Sequence, residues 1–115
     1  MSDYAQKVIL YGLTTCETCR RARKALESAG RVVAVRDVRA APLTADERKR
    51  FLAAFGDRLI NRASRTWLGL ATTDRTAAPD WLLAQYPALM RRPVIEAQGR
   101  LWLGWGAQVQ ADILA

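Results

Sequence analysis

Short apolar runs alternate with amphipathic stretches along this chain, and the switches between the two patterns mark its elements. Lys7-Val8-Ile9-Leu10-Tyr11 is a continuous run of strand formers punctuated by Gly12, the pattern of a buried strand. Ala22, Ala25, Leu26 and Ala29 then recur at i, i+3, i+4 and i+7, the stripe of an amphipathic helix, with Gly30 as its C-terminal stop. The β-branched stretch Arg31–Val38, bounded by Gly30 and Pro42, completes a βαβ unit with a right-handed crossover. Thr44-Ala45-Asp46-Glu47 is a capping-box pattern opening a second helix, whose Phe51, Leu52 and Phe55 face the core before Gly56.

Residues 57 to 91 read as helical throughout. Trp67, Leu68 and Leu70 suggest one short helix, and Pro79-Asp80 followed by Trp81, Leu82, Leu83 and Tyr86 another, stopped by Pro87. Their aromatic side chains are expected in the core. Pro93-Val94-Ile95-Glu96 and Arg100-Leu101-Trp102-Leu103 are two short strands joined at Gln98-Gly99, a hairpin signal, and a helix from about Ala107 to Leu114 closes the chain. The order is βαβ, a helical insert over about 44–90, then ββα. It predicts an α/β fold with a four-stranded mixed sheet, in one domain covering 1–115. That length suits a single core, and the domain is expected to be monomeric.

Composition narrows the chemistry. Histidine is absent, which removes Ser-His and Cys-His nucleophile pairs and every His-ligated metal, so no metal is expected; the thiol chemistry read below requires no bound cofactor. Lys plus Arg number 18 against 11 Asp plus Glu, a formal charge of +7 that favours anionic partners. The arginines are spread over several elements without a helix-turn-helix signature, so direct nucleic-acid binding is not expected. The longest charge-free run, Leu101–Ala111, is too short to span a bilayer. The N-terminus carries Asp3 and lacks a signal-peptide pattern, so no membrane association and a cytoplasmic location are expected.

The only two cysteines, Cys16 and Cys19, lie three apart between the first strand and the first helix. A zinc ribbon needs a second pair of ligands, and a disulfide closing so short a loop stabilises little. Redox chemistry or inert burial remain. At a helix N-terminus the free N–H groups and the positive end of the dipole favour a thiolate, moving a thiol from ~8.5 towards ~3.5–7.5. Cys16 at the cap is therefore the expected thiolate. Cys19, one turn inward on the side of Ala22 and Leu26, is the expected resolving cysteine. Glu17 opposes thiolate formation, whereas Arg20, Arg21 and Arg23 favour it. A Cys-x-x-Cys on the first βα junction of such an arrangement reads as thioredoxin-like.

Four segments carry a family resemblance over nearly the whole chain: Tyr11-Gly12-x-x-x-Cys16 before a basic helix, Leu59-Ile60-Asn61 leading to Thr66-Trp67, Arg91-Arg92-Pro93-Val94, and Leu103-Gly104-Trp105. The chain resembles the arsenate reductase-like (ArsC) family of the thioredoxin fold, with its YffB and Spx types. The resemblance implies a cis Pro93 beside the catalytic cysteine and an Arg92 that binds the oxyanion or the thiolate. By the same likeness Cys16, Cys19 and Arg92 are the catalytic residues, and Thr14, Thr15, Arg62, Arg65 and Pro93 line the substrate site. The arsenate reductases of the family use three arginines. Arg92 matches one, the second falls where this chain has Ala63 between Arg62 and Arg65, and the third falls at Leu103. The implied activity is a thiol–disulfide oxidoreductase with glutathione as co-substrate. The alternatives are arsenate reduction, or an Spx-like redox switch that binds the RNA polymerase α subunit.

Overall fold

The computed structural model describes residues 7–115, so the reading of the segment around Asp3 lies outside the described residues. Strand β1 (Lys7–Gly12) leads into helix α1 (Glu17–Ser28), which returns the chain to strand β2 (Val32–Asp37). After a long helical segment, β3 (Val94–Ala97) and β4 (Arg100–Leu103) form the hairpin, and a last helix covers Ala107–Leu114. The sheet order is β2-β1-β3-β4. β1 pairs parallel to β2, with Gly12 opposite Asp37, and antiparallel to β3, with Tyr11 opposite Val94. This mixed four-stranded sheet with a βαβ and a ββα half is the thioredoxin-like arrangement.

The chain divides into two compact units, one built from residues up to Asp37 and from Arg92 to Ala115, the other from Val38–Arg91. In the first, Val8 and Leu10 of β1, Ala22 and Leu26 of α1, Ile95 of β3, Trp105 and Ile113 form one buried cluster that also contains Cys19. β1 is central, which explains its continuous apolar run, whereas β2 is an edge and leaves Val32 and Val35 exposed. Arg31 Nη2 donates to the Ile113 carbonyl at 2.9 Å, satisfying a carbonyl at the end of the last helix.

The second unit opens with helix α2 (Ala45–Phe55), capped as its sequence predicts: Thr44 Oγ1 accepts from Glu47 N–H at 3.1 Å, and Glu47 Oε1 accepts from Thr44 N–H at 2.8 Å. Phe51 is fully buried, while Leu52 and Phe55 are only half-buried. The stretch 57–91 is not helical throughout. It is broken into α3 (Arg65–Leu68), α4 (Thr72–Arg75) and α5 (Pro79–Gln85), with 3-10 turns at Gly56–Leu59 and Pro87–Leu89. Ser64 caps α3 through its side chain, Gly69 ends it, Pro79 starts α5 after the extended Ala78, and Pro87 opens the last 3-10 turn after Tyr86, which is neither helical nor extended. An isolated bridge between Ile60 and Met90 and a 2.7 Å bond from Arg91 N–H to the Leu59 carbonyl tie the ends of this stretch together.

The aromatics of the second unit depart from expectation too. Trp81 is 42% exposed and packs edge-on against half-buried Tyr86. Trp67 is half-buried, with the guanidiniums of Arg62 and Arg75 at 5.0 and 5.9 Å from its ring centroid. Stacked guanidiniums let a large ring stay at the surface, because they cover its faces without removing their own charge from water. Among the described residues no helix is long and apolar enough to cross a membrane.

Candidate active site

The turn after β1 brings Cys16 to the head of α1. Cys16 N–H donates to the Leu13 carbonyl at 3.1 Å, and Thr14 N–H donates to Asp37 Oδ2 at 3.1 Å, which anchors the turn to the end of β2. Cys16 is the N-cap of α1, with extended backbone, and its sulfur accepts the Cys19 backbone N–H at 3.4 Å. A thiolate there takes the place of the usual Ser or Asp cap oxygen. Cys19 lies one turn inward with only 4% of its surface exposed.

The two thiols are pushed in opposite directions. Burial on its own would raise Cys16, but hydrogen bonds from the Cys19 thiol and backbone N–H, and from the Arg92 guanidinium together with its charge, bring it below the ordinary thiol value. Burial and the neighbouring Cys16 push Cys19 up to about 12, against a smaller opposing contribution from the Leu13 backbone. One sulfur is thus prepared as an anion and the other held as a thiol. Both are free cysteines.

Arg92 is the cation that reaches Cys16. Of the helix arginines expected to share this role, Arg20 pairs with Glu17 and Arg23 with Glu27, each at 3.5 Å on exposed side chains, and Arg21 is exposed. They are a turn of helix or more away along a solvated face, where their charge is screened. The Arg92-Pro93 bond is cis, as the resemblance implies. Pro93 is buried, and its carbonyl accepts Gly104 N–H at 2.7 Å, linking it to the Leu103-Gly104-Trp105 segment.

Of the other expected residues, Thr14 and Thr15 sit exposed in the turn before Cys16. Arg62 and Arg65 belong to the second unit. Arg62 makes a bidentate pair with Asp57, both bonds at 2.8 Å, and Arg65 is exposed at the start of α3. Two side-chain contacts in and beside this end of the sheet lie outside what the sequence alone reveals. Asp37 holds the Thr14 turn, a role readable only once Gly12 is known to pair with it across β1 and β2. Tyr11 donates to Glu96 Oε1 at 2.9 Å and lies 5.8 Å under the Arg36 guanidinium, a link across three strands that only the register reveals.

The ArsC family profile matches residues 11–111, from the end of β1 into the last helix. This chain belongs to the ArsC family. Within and around that family, the global transcriptional regulator Spx of Listeria innocua is 32% identical over 105 residues, covering 85% of this chain and 79% of that protein. Two solved structures are similar. A YFFB protein superposes with a TM-score of 0.85 at 26% identity, over 94% of this chain and 99% of that one. An ArsC-related protein from Brucella melitensis gives 0.72 at 32% identity, over 91% and 92%. The ArsC match includes every residue around Cys16 described above, from Tyr11 to the Arg92-Pro93 and Leu103–Trp105 segments.

Proposed function

We propose that this protein is a thiol–disulfide oxidoreductase that draws its electrons from glutathione. The observation that carries this reading is the pair of opposed thiols: Cys16 lowered at the cap of α1 against Arg92, and Cys19 buried behind it and raised. Cys16 thiolate attacks one sulfur of a substrate disulfide, forming a mixed disulfide and expelling the other half as a thiolate, which takes a proton from water. A second thiolate, from glutathione or from Cys19 after its proton is lost, attacks the Cys16 sulfur and releases the reduced substrate. Two glutathione molecules in total return both cysteines to thiols and leave as glutathione disulfide. A low pKa helps Cys16 twice, as nucleophile and as leaving group. This chemistry needs no resident cofactor and suits a reducing cytoplasm.

Arsenate reduction is a weaker fit. Thiolate attack on an oxyanion calls for several convergent guanidiniums. Here Arg92 is beside the thiol, whereas Arg62 is committed to Asp57 and the third position is Leu103. A second reading rests on the identity to Spx: oxidation of Cys16 and Cys19 would then alter binding to the RNA polymerase α subunit. Turnover of a small disulfide with glutathione, and of arsenate in a separate assay, for wild type and Cys16→Ser, tests the first reading. Disulfide turnover that vanishes in Cys16→Ser supports it. An inert wild type whose redox state changes α-subunit binding replaces it with the second.

A further inference from the structure

Gly30, Gly56, Gly99 and Gly104 hold positive φ angles, where a side chain is strained. Gly12 does not, so its backbone conformation gives no reason for glycine. Space does. A Cβ built on Gly12 falls onto the Cys19 sulfur, inside any permissible contact, with Cys19 Cβ at 3.3 Å and Leu10 Cδ2 at 3.4 Å. The Cys19 sulfur therefore rests directly on the Gly12 α-carbon at the end of β1, and the neighbouring Leu13 offers it a backbone hydrogen bond.

We propose that Gly12 is a positioning residue for the thiol pair, its missing side chain forming the socket that keeps the Cys19 sulfur turned inward and aimed at Cys16. The inference deepens the reading of Cys16 as a reactive thiolate and rests on it. A methyl group at position 12 leaves the sulfur little room to adjust. The Cys19 Cβ is fixed by α1, so the sulfur can escape only by changing χ1. That move takes it away from the Leu13 N–H and re-aims the S–H that supports the Cys16 thiolate. Cys16 then loses a donor, while Cys19 moves out of its buried seat. The two thiols should change reactivity in opposite senses, whereas general loosening of the fold would make both more reactive.

The test is iodoacetamide labelling of the reduced protein at about pH 6, with mass mapping of each cysteine, for wild type, Gly12→Ala, Cys19→Ala and the double variant. Gly12→Ala should slow Cys16 labelling roughly three- to tenfold and speed Cys19. Cys19→Ala should slow Cys16 on its own. Adding Gly12→Ala to Cys19→Ala should then change the Cys16 rate by less than about twofold, because the obstructing sulfur is gone. If Gly12→Ala alone does not fold, the double variant should, and thermal melts of all four proteins read this directly. Equal slowing in both backgrounds, unchanged labelling in Gly12→Ala, or a double variant as unfolded as the single one overturns the proposal. Labelling requires no substrate. An inactive wild type with the expected coupling would overturn only the reductase reading, and an active one with additive variants only the role of Gly12.

Discussion

Cys19 donates its backbone N–H to the Cys16 sulfur at 3.4 Å while keeping its own sulfur buried one turn behind. The same residue thus supports the anion in front of it and stays protonated itself. Ordinary helix capping geometry produces this division of labour, because an N-cap acceptor meets the N–H three residues on.

Cys16 should react with iodoacetamide well before Cys19 at about pH 6, since its pKa is lowered and that of Cys19 is raised to about 12. Mass mapping at low stoichiometry checks the order. Preferential labelling of Cys19 would reverse the assignment of the two roles.

Oxidation of the reduced protein should give an intramolecular Cys16–Cys19 disulfide, because the turn of helix between them permits that geometry and the chain has no third cysteine. A non-reducing digest should yield the linked peptide. Accumulation of glutathionylated protein alone would leave Cys19 without a resolving role.

Arg92→Ala should slow Cys16 alkylation at about pH 6 by roughly tenfold or more, the loss of one charge-assisted hydrogen bond of ~1.5–3 kcal/mol. Arg92→Lys should recover part of that rate, since it keeps the charge without the planar pair of donors. Thiolate absorbance near about 240 nm against pH provides the second readout. Coincident titration curves for the three proteins would remove Arg92 from the site.

Cys19 also makes stability depend on alkaline pH. Its pKa is about 12 in the fold against 9.0 unperturbed, so its contribution is complete below pH 9.0 and is lost as the pH rises toward 12. The slope is at most ~1.4 kcal/mol per pH unit. Urea midpoints between about pH 8 and about pH 10 should fall faster for wild type than for Cys19→Ala, and parallel declines would contradict the burial of that thiol.

Sequence reasoning reached the sheet half of this protein more fully than the helical half. β1, α1 and the Gln98-Gly99 hairpin announce themselves through local patterns, a buried run, an apolar stripe and a turn dipeptide, that agree with their tertiary surroundings. Between 57 and 91 the apolar residues are dense but the segments are short, and periodicity cannot separate one long helix from α3, α4 and α5. The pairing of Arg62 with Asp57 and of Arg20 with Glu17 was equally hidden, since a count of cations does not reveal which carboxylate each one meets. Cys16 was legible because strand, turn and cap are local. The Arg92 contact joins residues far apart in sequence and came only through resemblance.

The sheet register also fixes where the helical segment leaves and rejoins the thiol-bearing unit. Asp37 stands opposite Gly12 on one side of β1, and Val94 opposite Tyr11 on the other, so both junctions lie at the end of the sheet that carries Cys16. Two strand spacings separate them, about 10 Å. A piece of chain whose attachment points are that close can be lengthened, shortened or exchanged without unthreading the strands, as in domain insertion. Residues 38–91 can therefore change in length without breaking the strand pairing that presents Cys16.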